Sequence, residues 1–246
     1  MIVLFTDFGV SGPYVGQIKA VLAQLAPHER VIDLMHDAPA HDPRAAAFLL
    51  ASLITPFAAG TIFCAVVDPG VGGSRPPVIM EADGRWFAGP GNGLFEMVRR
   101  RAVSSETRRL TLEPARLSAT FHGRDLFAPA AALLASSIEP PSEPLKDVVP
   151  GGDWPDDLPQ IIYIDRFGNG ITGLRASVLD CQTCLAVGEC TARRARTFSE
   201  VPEGTIFWHE NSHGLAELAT NQGRAADLLN LKIGTPVTVV KNQATS

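Results

Sequence analysis

Over roughly the first 138 residues, apolar strand-like runs alternate with amphipathic stretches of helical period, the pattern of an α/β domain with a largely parallel sheet. Ile2 to Thr6 reads as a buried first strand. Tyr14 to Leu25 reads as a helix, because Val15, Ile18, Val21, Leu22 and Leu25 recur at i, i+3 and i+4 spacings and form one apolar face. Val31 to Leu34 is a second strand. Asp42 is placed to cap the next helix, with Pro43 at its first position and Ala45 to Leu53 carrying it to a break near Pro56. Thr61 to Val67 is a continuous apolar run between Gly60 and Asp68-Pro69-Gly70, as expected of a central strand buried on both faces. Pro76 to Phe87 looks like a short hairpin, and a helix from about Arg124 to Ser137 closes the domain.

The pattern then changes. Residues 139 to 159 hold six prolines, from Pro140 to Pro159, with Gly151-Gly152 and several acids, so no regular element is expected there. This stretch divides the chain into an α/β domain over 1–150 and a smaller domain over 160–246. In the latter, short runs (Ile161 to Ile164, Thr205 to Trp208, Pro236 to Val240) between glycines and polar turns predict a small β-barrel or sandwich, with one short helix at Arg224 to Leu229.

Composition narrows the class. With 246 residues and 46% hydrophobic content the chain can bury a sizeable core, which excludes disorder as a whole-chain description. A net charge of -5 gives no general attraction to nucleic acid or anionic lipid, so small-molecule or protein partners are expected. The N-terminus has no basic region and only a short apolar run before Asp7, which fits neither a signal peptide nor a membrane span. Four cysteines are too few for a disulfide scaffold, and reduced thiols in the cytoplasm are the expectation. Cys181, Cys184 and Cys190 could offer three thiolates, but structural zinc takes four ligands and no fourth is near, so they read as small buried side chains. His28, His36, His41 and His209 show no metal-ligand spacing. Arg99-Arg100-Arg101, at the end of a helix, and Arg193-Arg194-Ala195-Arg196 read as solvated faces.

The candidate chemistry sits where loops leave the carboxyl ends of strands, the place where ligands gather on a parallel sheet. Asp7 follows the first strand and Asp68 the central one, each beside glycines: Asp7-Phe8-Gly9 and Asp68-Pro69-Gly70-Val71-Gly72-Gly73-Ser74-Arg75. Either acid alone would be an ordinary turn or helix cap. Neither G-x-G-x-x-G nor G-x-x-x-x-G-K-[ST] occurs at these strand ends, which disfavours nucleotide phosphate and dinucleotide binding. His122 lies in Phe121-His122-Gly123-Arg124-Asp125, at a loop-to-helix junction. A lone histidine is weak evidence. Asp68, Arg75 and His122 on loops at one end of a sheet make a water-activating set.

Together these motifs resemble a known family. Thr6-Asp7-Phe8-Gly9 with Pro13-Tyr14-Val15-Gly16, Val67 to Gly72 with Arg75, Phe121 to Asp125, Asp165-Arg166-Phe167-Gly168-Asn169 and Asn211-Ser212 follow, in order, the pattern of the S-adenosyl-L-methionine hydroxide adenosyltransferases. The resemblance runs from residue 3 to about 240 and implies an N-terminal α/β domain, a C-terminal β-barrel and a homotrimer with active sites between neighbouring subunits. It further implies that Asp7 holds the ribose hydroxyls, that Asp165 and Ser212 bind the methionine amine and carboxylate, and that Asn169 meets the adenine. By the same resemblance the stretch from Glu217 to Gln222 would read the adenine edge, and Tyr14 and Phe167 would supply walls.

The activity so implied is hydrolysis of S-adenosyl-L-methionine to adenosine and L-methionine, with the ligand as substrate and no cofactor or metal. Two rivals stand beside it. A halide-dependent transferase of the related type is disfavoured by Asp68, where those enzymes carry Tyr, and by the short Pro76 to Phe87 stretch in place of a long insertion. A non-catalytic adenosine or S-adenosyl-L-methionine binding protein is disfavoured by the intact triad. Gly12, Gly91 and His213 depart from the usual residues of the family, which bears on affinity and ligand preference.

Overall fold

The computed structural model describes residues 1–146 and 149–241 and falls into two compact units, Met1–Trp154 and the chain from Pro155 onward. The first unit is built in the order β1 (Ile2–Thr6), α1 (Tyr14–Leu25), β2 (Val31–Met35), α2 (Pro43–Leu53), β3 (Ile62–Val66), β4 (Pro77–Ala82), β5 (Arg85–Pro90), α3 (Glu96–Arg101), β6 (Ser105–Leu110), α4 (Ala128–Ala135) and β7 (Ser142–Pro144). Among the described residues its sheet has the order β2-β1-β3-β5-β4-β6-β7. Every residue of β1 and β3 is buried, as their unbroken apolar sequences require of strands covered on both faces. Ile18 and Leu22 of α1 pack with Ile2, Leu4, Phe127 and Ala131 in one core. Asp42 accepts the Ala45 N–H at 2.9 Å and, with Pro43 behind it, starts α2.

The sheet is mixed rather than largely parallel. β2, β1, β3 and β5 run parallel, but β4 pairs antiparallel with β5 and β6, and β6 with β7. The cause is local: Asp83 and Gly84 both take positive φ (48° and 77°), the two-residue turn that folds β4 directly back onto β5. The proline-rich stretch is also more ordered than its sequence implies. Ser142–Pro144 forms the edge strand β7, and residues 151–154 lie against α3.

There Arg100 departs from the solvated face expected of it. Its side chain is 18% exposed, pairs with Glu96 at 2.7 Å and donates to the carbonyls of Gly151 and Trp154, each at 2.6 Å. A turn rich in glycine and proline lacks ladder partners for its carbonyls, and the guanidinium supplies them.

The second unit contains β8 (Leu158–Ile164), β9 (Gly170–Arg175), β10 (Thr183–Val187), β11 (Cys190–Arg194), β12 (Ile206–Glu210), β13 (Leu215–Thr220), α5 (Ala225–Leu228) and β14 (Thr238–Lys241). The sheet order is β14-β10-β11-β12-β13-β9-β8, and backbone bonds between 159–161 and 234–237 bring its two ends together as a small barrel. Trp208 is fully buried in its core and donates its indole N–H to the Thr183 carbonyl at 2.9 Å. Of the three cysteines expected to be buried, only Cys184 is: Cys181 is exposed at the turn into β10 and Cys190, at the start of β11, is half-buried. Among the described residues no three His, Cys, Asp or Glu side chains gather as a metal-binding group.

Candidate functional site

The first unit carries a cavity of about 540 Å³ at the carboxyl ends of β1 and β3. Asp7 and Asp68 enter it from those strand ends, and His122 from the start of the helical stretch that leads into α4. The turn between them, Gly123–Phe127, is a π-helix, a wide turn that recurs at functional sites.

Asp68, Arg75 and His122 are joined. Arg75 Nε donates to both carboxylate oxygens of Asp68 (3.0 and 3.1 Å), and Nη2 reaches Oδ2 at 2.5 Å. The same Nη2 lies 2.8 Å from His122 Nδ1. The guanidinium also sits over the Phe127 ring, 5.3 Å from its centre. The ion pair is shielded, Asp68 being 4% and Arg75 10% exposed.

A guanidinium has donors only, so His122 Nδ1 must be the acceptor, and in the neutral ring the proton is then on Nε2. Burial, then the charge of Arg75, pushes the His122 pKa below the ordinary histidine value, outweighing the pull of Asp68 and Asp125. The ring is therefore a neutral N–H donor beside a permanent cation.

Asp7 is partly withdrawn from water, and that burial raises its carboxyl above the ordinary aspartate range, against the hydrogen bond from His41 N–H to Oδ2 (3.1 Å). Tyr14, which lines the cavity, packs edge-on against Phe121 at 5.3 Å and tilts against Phe8 at 6.0 Å. The cavity thus combines carboxylates with an aromatic wall. His41 shows no metal-ligand spacing in the sequence. It lines this cavity at φ +58°, a left-handed conformation, and its only sequence signal is the bracket Pro39-Ala40-His41-Asp42-Pro43.

The second unit has its own open cavity of about 830 Å³, which gathers Asp165, Phe167, Asn169, Ser212 and Glu217. Asp165 accepts from the Asn169 backbone N–H (2.8 Å) and side-chain amide (3.2 Å), so the amide of Asn169 is partly engaged within the turn. Phe167 is 73% exposed, a large apolar surface at a cavity rim. Glu217 is buried, accepts from the Asn211 amide at 3.1 Å and lies 3.4 Å from His209 Nε2. Burial would lower the His209 pKa, but the Glu217 carboxylate beside it overrides that and raises the value. His209 was another residue without a distinguishing sequence signal. Ser212 Oγ and His213 Nε2 lie 3.4 Å apart on the exposed turn after β12.

Both halves match family models: residues 2–143 the SAM hydroxide adenosyltransferase N-terminal domain, and residues 159–238 the corresponding C-terminal domain. The chain belongs to the SAM hydroxide adenosyltransferase family. Among curated relatives, it is 41% identical to an (R)-S-adenosyl-L-methionine hydrolase of Thermus thermophilus, over 94% of this chain and 96% of that one. It is 36% identical to the protein of the same name from Salinispora arenicola, over 93% of each. A solved structure of an uncharacterized conserved protein from Thermotoga maritima superposes with a TM-score of 0.86 at 29% identity, covering 98% of this chain and all of that one. A conserved hypothetical protein from Thermus thermophilus gives 0.74 at 37% identity, covering 97% and 99%. Among the described residues no helix is long and apolar enough to cross a membrane.

Proposed function

We propose that this protein hydrolyses S-adenosyl-L-methionine to adenosine and L-methionine by attack of a water-derived oxygen at ribose C5'. The observation that carries the reading is the Asp68–Arg75–His122 chain of hydrogen bonds at a cavity shared with Asp7 and Tyr14. The relatives' names supply the substrate and point to its (R) sulfonium epimer.

In this reading the C5'–sulfur bond breaks as the C5'–oxygen bond forms. Sulfur leaves with the bonding pair as a neutral thioether, so no acid is needed for the leaving group, and one proton goes to solvent. The difficulty lies in the nucleophile, since free water has a pKa of about 15.7. Arg75 supplies fixed positive charge, Asp68 holds and offsets it, and His122 Nε2–H donates to the developing hydroxide. With Nδ1 occupied by Arg75, His122 acts as a donor rather than as the proton's acceptor. Asp7 holds the ribose hydroxyls and Tyr14 forms a wall. The second cavity takes the rest of the substrate: Asp165 and Ser212 the methionine amine and carboxylate, Asn169 and Glu217 the adenine edge, Phe167 a further wall. No metal or cofactor takes part. A homotrimer with active sites between neighbouring subunits, working in the cytoplasm, completes the proposal; dilution to monomer should abolish activity, and a fully active monomer would remove that part.

The deciding experiment incubates chelator-treated protein with each sulfonium epimer in chloride-free oxygen-18 water, beside a His122→Ala control. Labelled adenosine and methionine from wild type, lost in the control, are expected. Intact ligand that nevertheless binds would favour the binding-protein alternative, and 5'-halo-adenosine on adding chloride the halide transferase.

The pH dependence follows from His122. Its neutral form accepts from Arg75, and the folded protein lowers its pKa, so that form persists to lower pH than in a free histidine and is lost as pH falls through the lowered value. The rate should therefore have an acid limb centred below about 6.5, the ordinary histidine value. A limb centred above it, absent in His122→Asn, would contradict the assigned tautomer.

A further inference from the structure

Beneath the loop that carries Asp7 lies a buried histidine that the proposed chemistry does not use. His36 follows β2, and its Nδ1 is 2.8 Å from the Thr6 hydroxyl at the end of β1. Its Nε2 faces Asp33 Oδ1 at 3.2 Å, and Asp33 Oδ2 accepts from Lys19 at 2.9 Å. Thr6 Oγ1 in turn accepts the Phe8 N–H at 3.4 Å, while the His36 carbonyl accepts the Gly9 N–H at 2.6 Å. The carboxylate beside Nε2 favours the ring proton on that nitrogen, which makes Nδ1 the acceptor of the Thr6 hydroxyl. The Phe8 amide donates to the Thr6 hydroxyl and that hydroxyl donates to Nδ1, while Nε2 lies beside, without hydrogen-bonding to, the Asp33 carboxylate that Lys19 pairs.

The residues just after Asp7, Phe8 and Gly9, are therefore tied to Thr6 and to His36. We propose that His36 is a positioning residue, which through the Thr6 hydroxyl fixes the height of the Asp7-Phe8-Gly9 loop and so the grip on the ribose. This rests on the reading that Asp7 holds the ribose hydroxyls of the substrate. His36 touches no substrate in this scheme; it acts on Asp7 through Thr6 and through its own backbone carbonyl. A buried imidazole suits the task because its two nitrogens face opposite ways, one towards the loop and the other towards Asp33, and its rigid ring transmits position between them.

The test separates the two nitrogens. Glutamine at 36 places an amide N–H where Nε2–H was and leaves the Thr6 hydroxyl without its acceptor; asparagine places an amide oxygen near the position of Nδ1. His36→Gln and Thr6→Val should each raise KM by about tenfold with kcat within about threefold, since what is lost is uniform binding. The double variant should be no worse than the poorer single, and His36→Asn should restore most of the loss. Thermal unfolding shows which variants remain folded.

The Asp7 carboxyl, followed by carbon-13 NMR titration without substrate, gives an independent readout. It should shift in Thr6→Val and His36→Gln and return in His36→Asn. Unchanged KM and Asp7 titration, additive effects of the two singles, or an asparagine variant as impaired as the glutamine one would each overturn the proposal. If wild type leaves S-adenosyl-L-methionine intact, the functional reading fails while the Asp7 titration still decides the role of His36.

Discussion

Replacing Arg75 by methionine is expected to lower kcat on S-adenosyl-L-methionine by about 10³-fold, because the fixed charge beside the nucleophile is lost. The same substitution should cost about 3–5 kcal/mol of stability, since Asp68, 4% exposed, is left as a buried carboxylate without its bidentate partner. Chemical denaturation and single-turnover kinetics read the two effects separately. Lysine should not rescue the rate: an ammonium cannot hold both oxygens of Asp68 and His122 Nδ1 in one plane. Adding Asp68→Leu to Arg75→Met removes the orphaned charge and should return much of the stability with none of the activity. A double variant that regains turnover, or an Arg75→Met protein within tenfold of wild type, would take Arg75 out of the mechanism.

Gly72→Ala should be nearly as damaging to rate while leaving the fold in place. Gly72 takes φ +76°, and a Cβ built on it would lie 2.4 Å from the Ala119 carbonyl oxygen. The loop from Asp68 to Arg75 thus runs against the backbone of the loop before His122, which Asp125 anchors by accepting the Ser118 N–H at 2.8 Å. A methyl group forces those two loops apart, and a displacement near 1 Å costs about 10²-fold in rate. Gly60→Ala supplies the control. Gly60 has a similar φ, +83°, but open space where a Cβ would stand, so strain without crowding should lower stability by about 1 kcal/mol and spare kcat. Equal rates for Gly72→Ala and wild type would mean that the two loops need not touch.

These expectations differ in how far the sequence alone could have suggested them. β1, α1 and β3 declare themselves because burial is uniform along each strand and periodic along the helix; α2 is buried without a break from Ala45 to Leu53, and is marked instead by Asp42-Pro43, a start that the structure repeats in its Ala45 hydrogen bond. β6 does not declare itself: Ser-Glu-Thr-Arg-Arg-Leu offers one buried residue to a pattern search, and it is a strand because β4 and β7 flank it. β9 carries Gly170 and Gly173 at positions where alternation would be read, and so shows none. Asp7 and Asp68 are legible as acids that end buried strands. His36, His41 and His209 are not, since each acquires meaning from a neighbour that the fold supplies: Thr6 and Asp7, distant in sequence, for His36 and His41, and Glu217, its cross-strand partner, for His209. Asn169 shows the reverse limit, a motif residue whose amide the fold has partly engaged with Asp165.

The distribution of tyrosine has a practical consequence. The chain has only two, and Tyr14 lines the cavity of the first unit while Tyr163 lines that of the second. The three tryptophans, Trp86, Trp154 and Trp208, line neither. Each cavity therefore owns a private spectroscopic probe. Selective isotope labelling of tyrosine would give a two-signal spectrum in which occupancy of either cavity is followed without touching the other: methionine should move only the Tyr163 signal, and adenosine, whose ribose and adenine go to different cavities, should move both.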